Sequence, residues 1–231
     1  QGTIWLGTYF GGVNYFNPEY EIYTRYSYSS NEKQGLSNPV VGRTIEDKNG
    51  NLWIGTEGGG LNYYNRRTRE FKWYRPQEGR NSISHNNVKA LYYDADKEII
   101  WIGTHLGGLN KLDIRSGHFT HYRMEEGNPN TLPSDIIRDI IPYKSLLIIA
   151  TQNGVCLFDP ANGQCQQLFK DSKEGKSIKM VADVTFDSEG TLWIAATGEG
   201  VFSYRFDTCK LTNYRHDATN PNSLSNNNVN N

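Results

Sequence analysis

The chain has 231 residues, with 24 Lys+Arg against 25 Asp+Glu and a formal net charge of -1, so it lacks the basic excess with which a nucleic-acid binder neutralises phosphates. Mean hydropathy is -0.68, and the longest apolar run, Leu146 to Ala150, is far short of the ~18 residues of a membrane-spanning helix. With 23 Gly, 15 Tyr, 9 Phe, 5 Trp and only 2 Met, the composition is that of a β-rich, turn-dense protein.

The chain opens on Trp5-Leu6-Gly7-Thr8. The string returns as Trp53-Ile54-Gly55-Thr56 and Trp101-Ile102-Gly103-Thr104, then weakened as Ile148-Ile149-Ala150-Thr151 and Trp193-Ile194-Ala195-Ala196, at periods of 48, 48, 47 and 45. A second element follows each copy: Gly12-Val13-Asn14, Gly60-Leu61-Asn62, Gly108-Leu109-Asn110, Gly154-Val155-Cys156 and Gly200-Val201-Phe202. Next come aromatic pairs such as Phe71/Tyr74 and Phe119/Tyr122. A polar loop then leads into Leu36-Ser37, Ile83-Ser84, Leu132-Pro133 or Leu224-Ser225.

One period can be read in order. Asp47-Lys48-Asn49-Gly50 is a turn. Leu52 to Thr56 is a strand, and the glycines behind it permit a tight reversal. Leu61 to Tyr64 is a strand, Arg66 to Arg69 a turn, and Phe71 to Tyr74 a strand; Val88 to Tyr93 then opens the next period. The alternation has period 2, with no helical periodicity. Four short antiparallel strands per 45 to 48 residues predict an all-β fold, the blades of a β-propeller. Complete blades are expected at 36–83, 83–131, 132–177 and 178–223, with a partial blade at 1–35 and the start of a further one at 224–231. That is about five blades' worth; a slice of a larger ring is expected, with a closed five-bladed ring as the alternative.

Three motifs carry a resemblance: Asp-x-x-Gly-x-Leu-Trp at 47–53, Trp-Ile-Gly-Thr-x-Gly-Gly-Gly-Leu-Asn at 53–62, and Asn-Ser-Leu-Ser-Asn-Asn-x-Val at 222–229. Together they resemble the two-component regulator propeller repeat. The resemblance implies a non-catalytic module in the periplasmic sensor of a hybrid two-component histidine kinase that detects oligosaccharides. It also implies two seven-bladed propellers and a β-sandwich ahead of a membrane span and kinase, and a homodimeric receptor. The expected partners are thus an oligosaccharide and the remaining blades and β-sandwich of the same receptor, with no nucleic acid and no membrane contact by this segment.

Comparing the repeats separates scaffold from site. Trp5, Trp53, Trp101 and Trp193 recur and are expected to fill the gaps between blades. Function is sought where the repeats disagree. Tyr9 and Phe10, Glu57, His105 and Gln152 fall on the loop joining the second and third strands, where aromatic faces and polar groups suit a glycan; the alternative is packing against a neighbouring domain. Arg43, Asp139 and Asp183, equivalent to Ala90 and Asn231, interrupt apolar innermost strands and need partners or the water of a central channel. His85 and Asn86 lie on an inter-blade loop, as sugar donors or as turn formers.

No cofactor is expected. His118 and His121 are oddly spaced on a strand and face opposite ways, and no His or Cys spacing suits zinc. Cys156 and Cys165 share a predicted hairpin. A two-residue Asn162-Gly163 turn would set Cys165 opposite Pro160, away from Cys156. Asp47 and Gly50 are three apart, unlike the two of sialidase-type Asp boxes. Two alternatives stay open. One is a propeller that only docks proteins or dimerises. The other is a metal-dependent enzyme resembling streptogramin lyases, for which His85 and His105 stand on adjacent loops.

Overall fold

Runs of five or six residues, aromatic and β-branched on alternate positions and fenced by glycine, pay off their backbone polarity only by pairing side by side. In the computed structural model, which describes residues 4–8, 12–17, 22–170, 175 and 178–229, they do so in five antiparallel sheets, each filled by consecutive strands. The first holds β1 (Ile4–Thr8), β2 (Gly12–Asn17) and β3 (Ile22–Tyr26). The second holds β4 (Val41–Glu46), β5 (Leu52–Thr56), β6 (Gly60–Asn65) and β7 (Glu70–Tyr74). The third holds β8 (Val88–Asp94), β9 (Ile99–Thr104), β10 (Leu109–Asp113) and β11 (His118–Tyr122). The fourth holds β12 (Ile137–Tyr143), β13 (Leu146–Thr151), β14 (Gly154–Phe158) and β15 (Cys165–Gln167). The fifth holds β16 (Val181–Phe186), β17 (Leu192–Ala196), β18 (Gly200–Arg205) and β19 (Lys210–Tyr214). Among the described residues no helix is long and apolar enough to cross a membrane. The fold is all-β, built of propeller blades.

In the second, third and fourth sheets the β-hairpin between second and third strands closes on one device. In the second sheet Thr56 Oγ1 donates to the Gly60 carbonyl at 2.9 Å, and Gly60 takes φ +81. A Cβ there would stand 2.2 Å from the Tyr74 carbonyl oxygen, so only glycine fits. Thr104 and Thr151 repeat the bond to the carbonyls of Gly108 and Gly154, both at 2.9 Å.

The chain divides into two compact units at the His121/Tyr122 boundary. In the first, Trp53 and Leu61 pack with Ile83, Val88, Leu91, Ile100, Ile102, Leu112 and Phe119 of the following sheet. One sheet earlier, Val13 and Leu36 pack with Leu52, Ile54, Tyr64 and Phe71, with Trp5 and Tyr26 against them. The second unit is built on Ile148, Ala150 and Val155 packed with Val181, Val184, Leu192, Ile194 and Phe202. Within each unit the core thus sits between sheets, and the second sheet contributes to two such cores.

The first strands of the four-stranded sheets break the period-2 rule. Register shifts fall between Val41 and Thr44, Val88 and Ala90, Ile137 and Asp139, and Val181 and Asp183. These are β-bulges, which leave an extra residue outside the ladder and re-aim its side chain. Lys89 is such a residue, and its role appears below. The hairpin of Cys156 and Cys165 differs from the sequence expectation. Its connection runs from Asp159 to Gln164, with the Asp159 N–H donating to the Gln164 carbonyl and the Gly163 N–H to the Asp159 carbonyl, each at 2.8 Å. Cys165 therefore pairs with Phe158, not Pro160. It lies diagonal to Cys156, and both are buried, free thiols. Burial, with the Cys165 thiol beside it, pushes the Cys156 thiol well up.

Candidate functional site

Two repeated polar devices hold the loops that could carry function. The first is a clamp between the Leu-Ser element and the third strand. The Ser37 N–H donates to Asn62 Oδ1 and Asn62 Nδ2 to Ser37 Oγ, both at 2.8 Å, with Asn62 fully buried. Ser84 and Asn110 repeat both bonds at 2.8 Å. Where Asn gives way to Cys156 or Phe202, serine gives way too, to Pro133 and Lys179. Sequence reading saw both elements but not that they touch; their joint loss in two repeats was the signal that could have found it.

The second device explains the Asp-x-x-Gly-x-Leu-Trp string. Asp47 Oδ2 accepts from Trp53 Nε1 at 3.2 Å, while its Oδ1 accepts the amides of Asn49 and Asn51. Asp187 does the same for Trp193 Nε1 at 2.8 Å and for the amides of Glu189 and Thr191. The aspartate thus orients the tryptophan from inside its own turn, which is a structural role. Trp193, followed by the Thr191 amide, holds the Asp187 carboxyl below its usual range. A carboxylate lowered in this way stabilises the fold above its unfolded pKa, and that contribution is lost as pH falls through the lower folded value. Thermal unfolding of the wild type should therefore weaken on acidification more steeply than that of Asp187→Asn. Parallel acid limbs would show that the clasp does not act through its charge.

In the first unit the loop residues are engaged with the neighbouring sheet. Glu57, half-buried, pairs with Lys89 Nζ, the side chain freed by the β8 bulge. The amides of Gly58 and Gly60 both donate to the Asn86 carbonyl, at 3.2 and 2.7 Å, and the side chain of Asn86 is left exposed. His85 Nδ1 accepts the Asn87 N–H at 3.1 Å, a turn-forming use of the ring. The His105 N–H donates to the Asn87 carbonyl at 2.9 Å, and its side chain is half-buried. Arg43 is exposed on β4. The loops therefore bring Glu57, His85, Asn86 and His105 into one hydrogen-bonded collar.

In the second unit, the Gln152 N–H donates to the Ile136 carbonyl and its own carbonyl accepts from the Met180 N–H at 2.7 Å. Asp139 is 4 % exposed and Asp183 half-buried. Tyr9, Phe10 and Asn231 lie outside the described residues. Among the described residues no three His, Cys, Asp or Glu side chains gather as a metal site.

The model of the family described as two component regulator propeller matches residues 35–58 and 82–105. These stretches run from the clamp serine through the Trp-Ile-Gly-Thr strand in two successive sheets. No curated protein matches the chain. Among solved structures, the extracellular domain of BT3049 from B. thetaiotaomicron, assigned to a hybrid two-component system, is 24% identical with a TM-score of 0.75, over 94% of this chain and 29% of that one. The extracellular domain of BT4673 from the same organism is 23% identical at TM-score 0.75, over 94% and 30%. PorZ of Porphyromonas gingivalis, a surface component of the type-IX secretion system, is 15% identical at TM-score 0.70, over 98% and 34%. The chain spans about a third of the length of the structures it matches. Residues 35–58 and 82–105 are two-component regulator propeller repeats, in a chain that shares the fold of these larger extracellular domains.

Proposed function

We propose that this chain is a non-catalytic part of the extracytoplasmic sensor of a hybrid two-component system, and that it takes part in detecting an oligosaccharide. The observation that carries the reading is the pairing of two regulator-propeller repeats with a fold match to extracellular domains of such systems over 94% of the chain. On this reading the segment lies in the periplasm, beside further blades and a β-sandwich of the same receptor. Ligand contacts on the loops of Tyr9, Phe10, Glu57, His85, Asn86, His105 and Gln152 shift the arrangement of a receptor dimer. Arg43, Asp139 and Asp183 supply polar groups on the innermost strands. A ligand acts in this way only through a difference in affinity for the two arrangements.

The test is calorimetry on the full-length ectodomain with a panel of acidic and neutral oligosaccharides, comparing wild type with Tyr9→Ala/Phe10→Ala. A glycan that binds wild type and loses most of its affinity in the double variant supports the loop site. Absence of any glycan binding overturns the sensing reading. A second reading has one observation in its favour: the likeness to PorZ, a surface component of a secretion system, covers 98% of the chain. On that reading the propeller docks a protein and takes no sugar.

A further inference from the structure

Positions where the blades disagree also single out a groove away from the loops. Between the β1–β3 and β4–β7 sheets of the first unit lies a cavity of about 500 Å³, lined by Trp5, Tyr15, Tyr26 and Tyr64 and rimmed by Arg66 and Arg69. Its volume falls within the roughly 300–1,000 Å³ of small-ligand sites. The rings form one aromatic wall: Trp5 to Tyr15 at 4.7 Å between centroids, Trp5 to Tyr26 at 6.1 Å and nearly parallel, and Tyr26 to Tyr64 at 4.7 Å. The Arg66 guanidinium lies 5.2 Å from the Trp5 ring centroid and pairs with Glu46 at 3.2 Å. The Arg69 guanidinium has no partner among the described residues.

At the other junctions these two positions are filled differently. The counterpart of Arg66 is Ile114, Pro160 or Phe206, and Ile114 and Phe206 pack into their cores as apolar plugs. The counterpart of Arg69 is Gly117 or Gly163, with φ 69 and 77, and in the fifth sheet Cys209, with φ 53. Arg69 holds φ 61, a left-handed conformation disfavoured for a residue with a side chain. The blade thus carries a guanidinium where glycine would relax the turn, and a second one where an apolar side chain would seal the gap. Ring faces take the C–H surface of a sugar, and guanidinium is the side chain best shaped for a carboxylate or sulfate.

We propose that this groove binds an acidic sugar unit, a uronate or a sulfated residue of an oligosaccharide, with the aromatic wall under the sugar and Arg69, assisted by Arg66, on its anionic group. The ligand class rests on the sensing reading above; the place does not. The test is calorimetry on the full-length protein with three probes: tetragalacturonate, a sulfated glycosaminoglycan tetrasaccharide and neutral maltotetraose. The variant is Arg66→Ile/Arg69→Gly, which installs the residues of the next blade and so keeps the turn and the packing. An acidic probe should bind wild type, weaken with salt, and lose at least about tenfold in affinity in the variant. Which acidic probe binds separates carboxylate from sulfate. Undiminished acidic binding in the variant overturns the groove while leaving the sensing reading intact, as does maltotetraose binding as tightly as either acidic probe. If no glycan binds the wild type at all, both fall.

Discussion

Trp53→Ala should cost about 3–5 kcal/mol, the range for removing a large buried aromatic ring. The side chain is 2 % exposed and makes three kinds of contact at once. Its ring lies 4.7 Å from Tyr63 and 5.8 Å from Tyr74 between centroids. Its far side packs into the following sheet at Val88, Leu91, Ile100, Leu112 and Phe119. Its Nε1 donates to Asp47. Truncation leaves a cavity at a sheet-to-sheet junction, and the two sheets cannot close over it without shifting their ladders. A domain has only about 5–15 kcal/mol to lose, so Trp53→Phe provides a milder second variant. It retains most of the ring volume, drops the bond to Asp47, and should cost roughly 1–2 kcal/mol. Urea unfolding of the three proteins checks both values. A cost below about 1 kcal/mol for the alanine variant would show that the junction closes without the ring.

The strands were legible because the same physical demand recurs in every period. Trp-Ile-Gly-Thr needs a buried ring, an extended pair, room for a neighbour and a hairpin-closing hydroxyl. Leu52–Thr56, expected from sequence, is the strand observed. Three features were less legible, for separate reasons. Bulges hid the fate of Lys89: in an apolar strand it reads as a misplaced charge, and only the extra residue in the ladder swings it out to Glu57. The hairpin of Cys165 was misread because Asn162-Gly163 resembles a complete two-residue turn, whereas hydrogen bonds from Asp159 to Gln164 make the connection longer. The groove of Arg66 and Arg69 was missed because both arginines looked like ordinary turn residues. Their meaning depends on Ile114 and Gly117 standing in their places one blade later. In a repeat protein the informative comparison is internal, because a residue that looks ordinary alone stands out only against its counterparts in the other blades.

Asn62→Ala tests whether the clamp is a stability element or only a companion of the repeat. Asn62 is 0% exposed, and it satisfies the Ser37 N–H and Oγ at 2.8 Å each. Removing its amide takes the partner of the buried Ser37 N–H and leaves the hydroxyl only its 3.4 Å contact with Thr56 Oγ1, and an orphaned buried polar group costs about 1–3 kcal/mol. The expected loss is therefore roughly 2–3 kcal/mol, against about 1 kcal/mol for Ser37→Ala, which leaves the backbone N–H bond in place. The two should not add. Once Asn62 is gone the serine hydroxyl has lost its donor, so the double variant should fall short of the sum by about 0.5 kcal/mol or more. Equilibrium unfolding of the four proteins closes the cycle. Strict additivity would mean that serine and asparagine are kept for different reasons. A coupling of the expected sign would account for the fourth and fifth sheets, where Cys156 stands with Pro133 and Phe202 with Lys179. With the amide lost, the serine loses its two bonds to the asparagine, and an apolar or sulfur side chain can fill the space at less cost when both polar partners leave together.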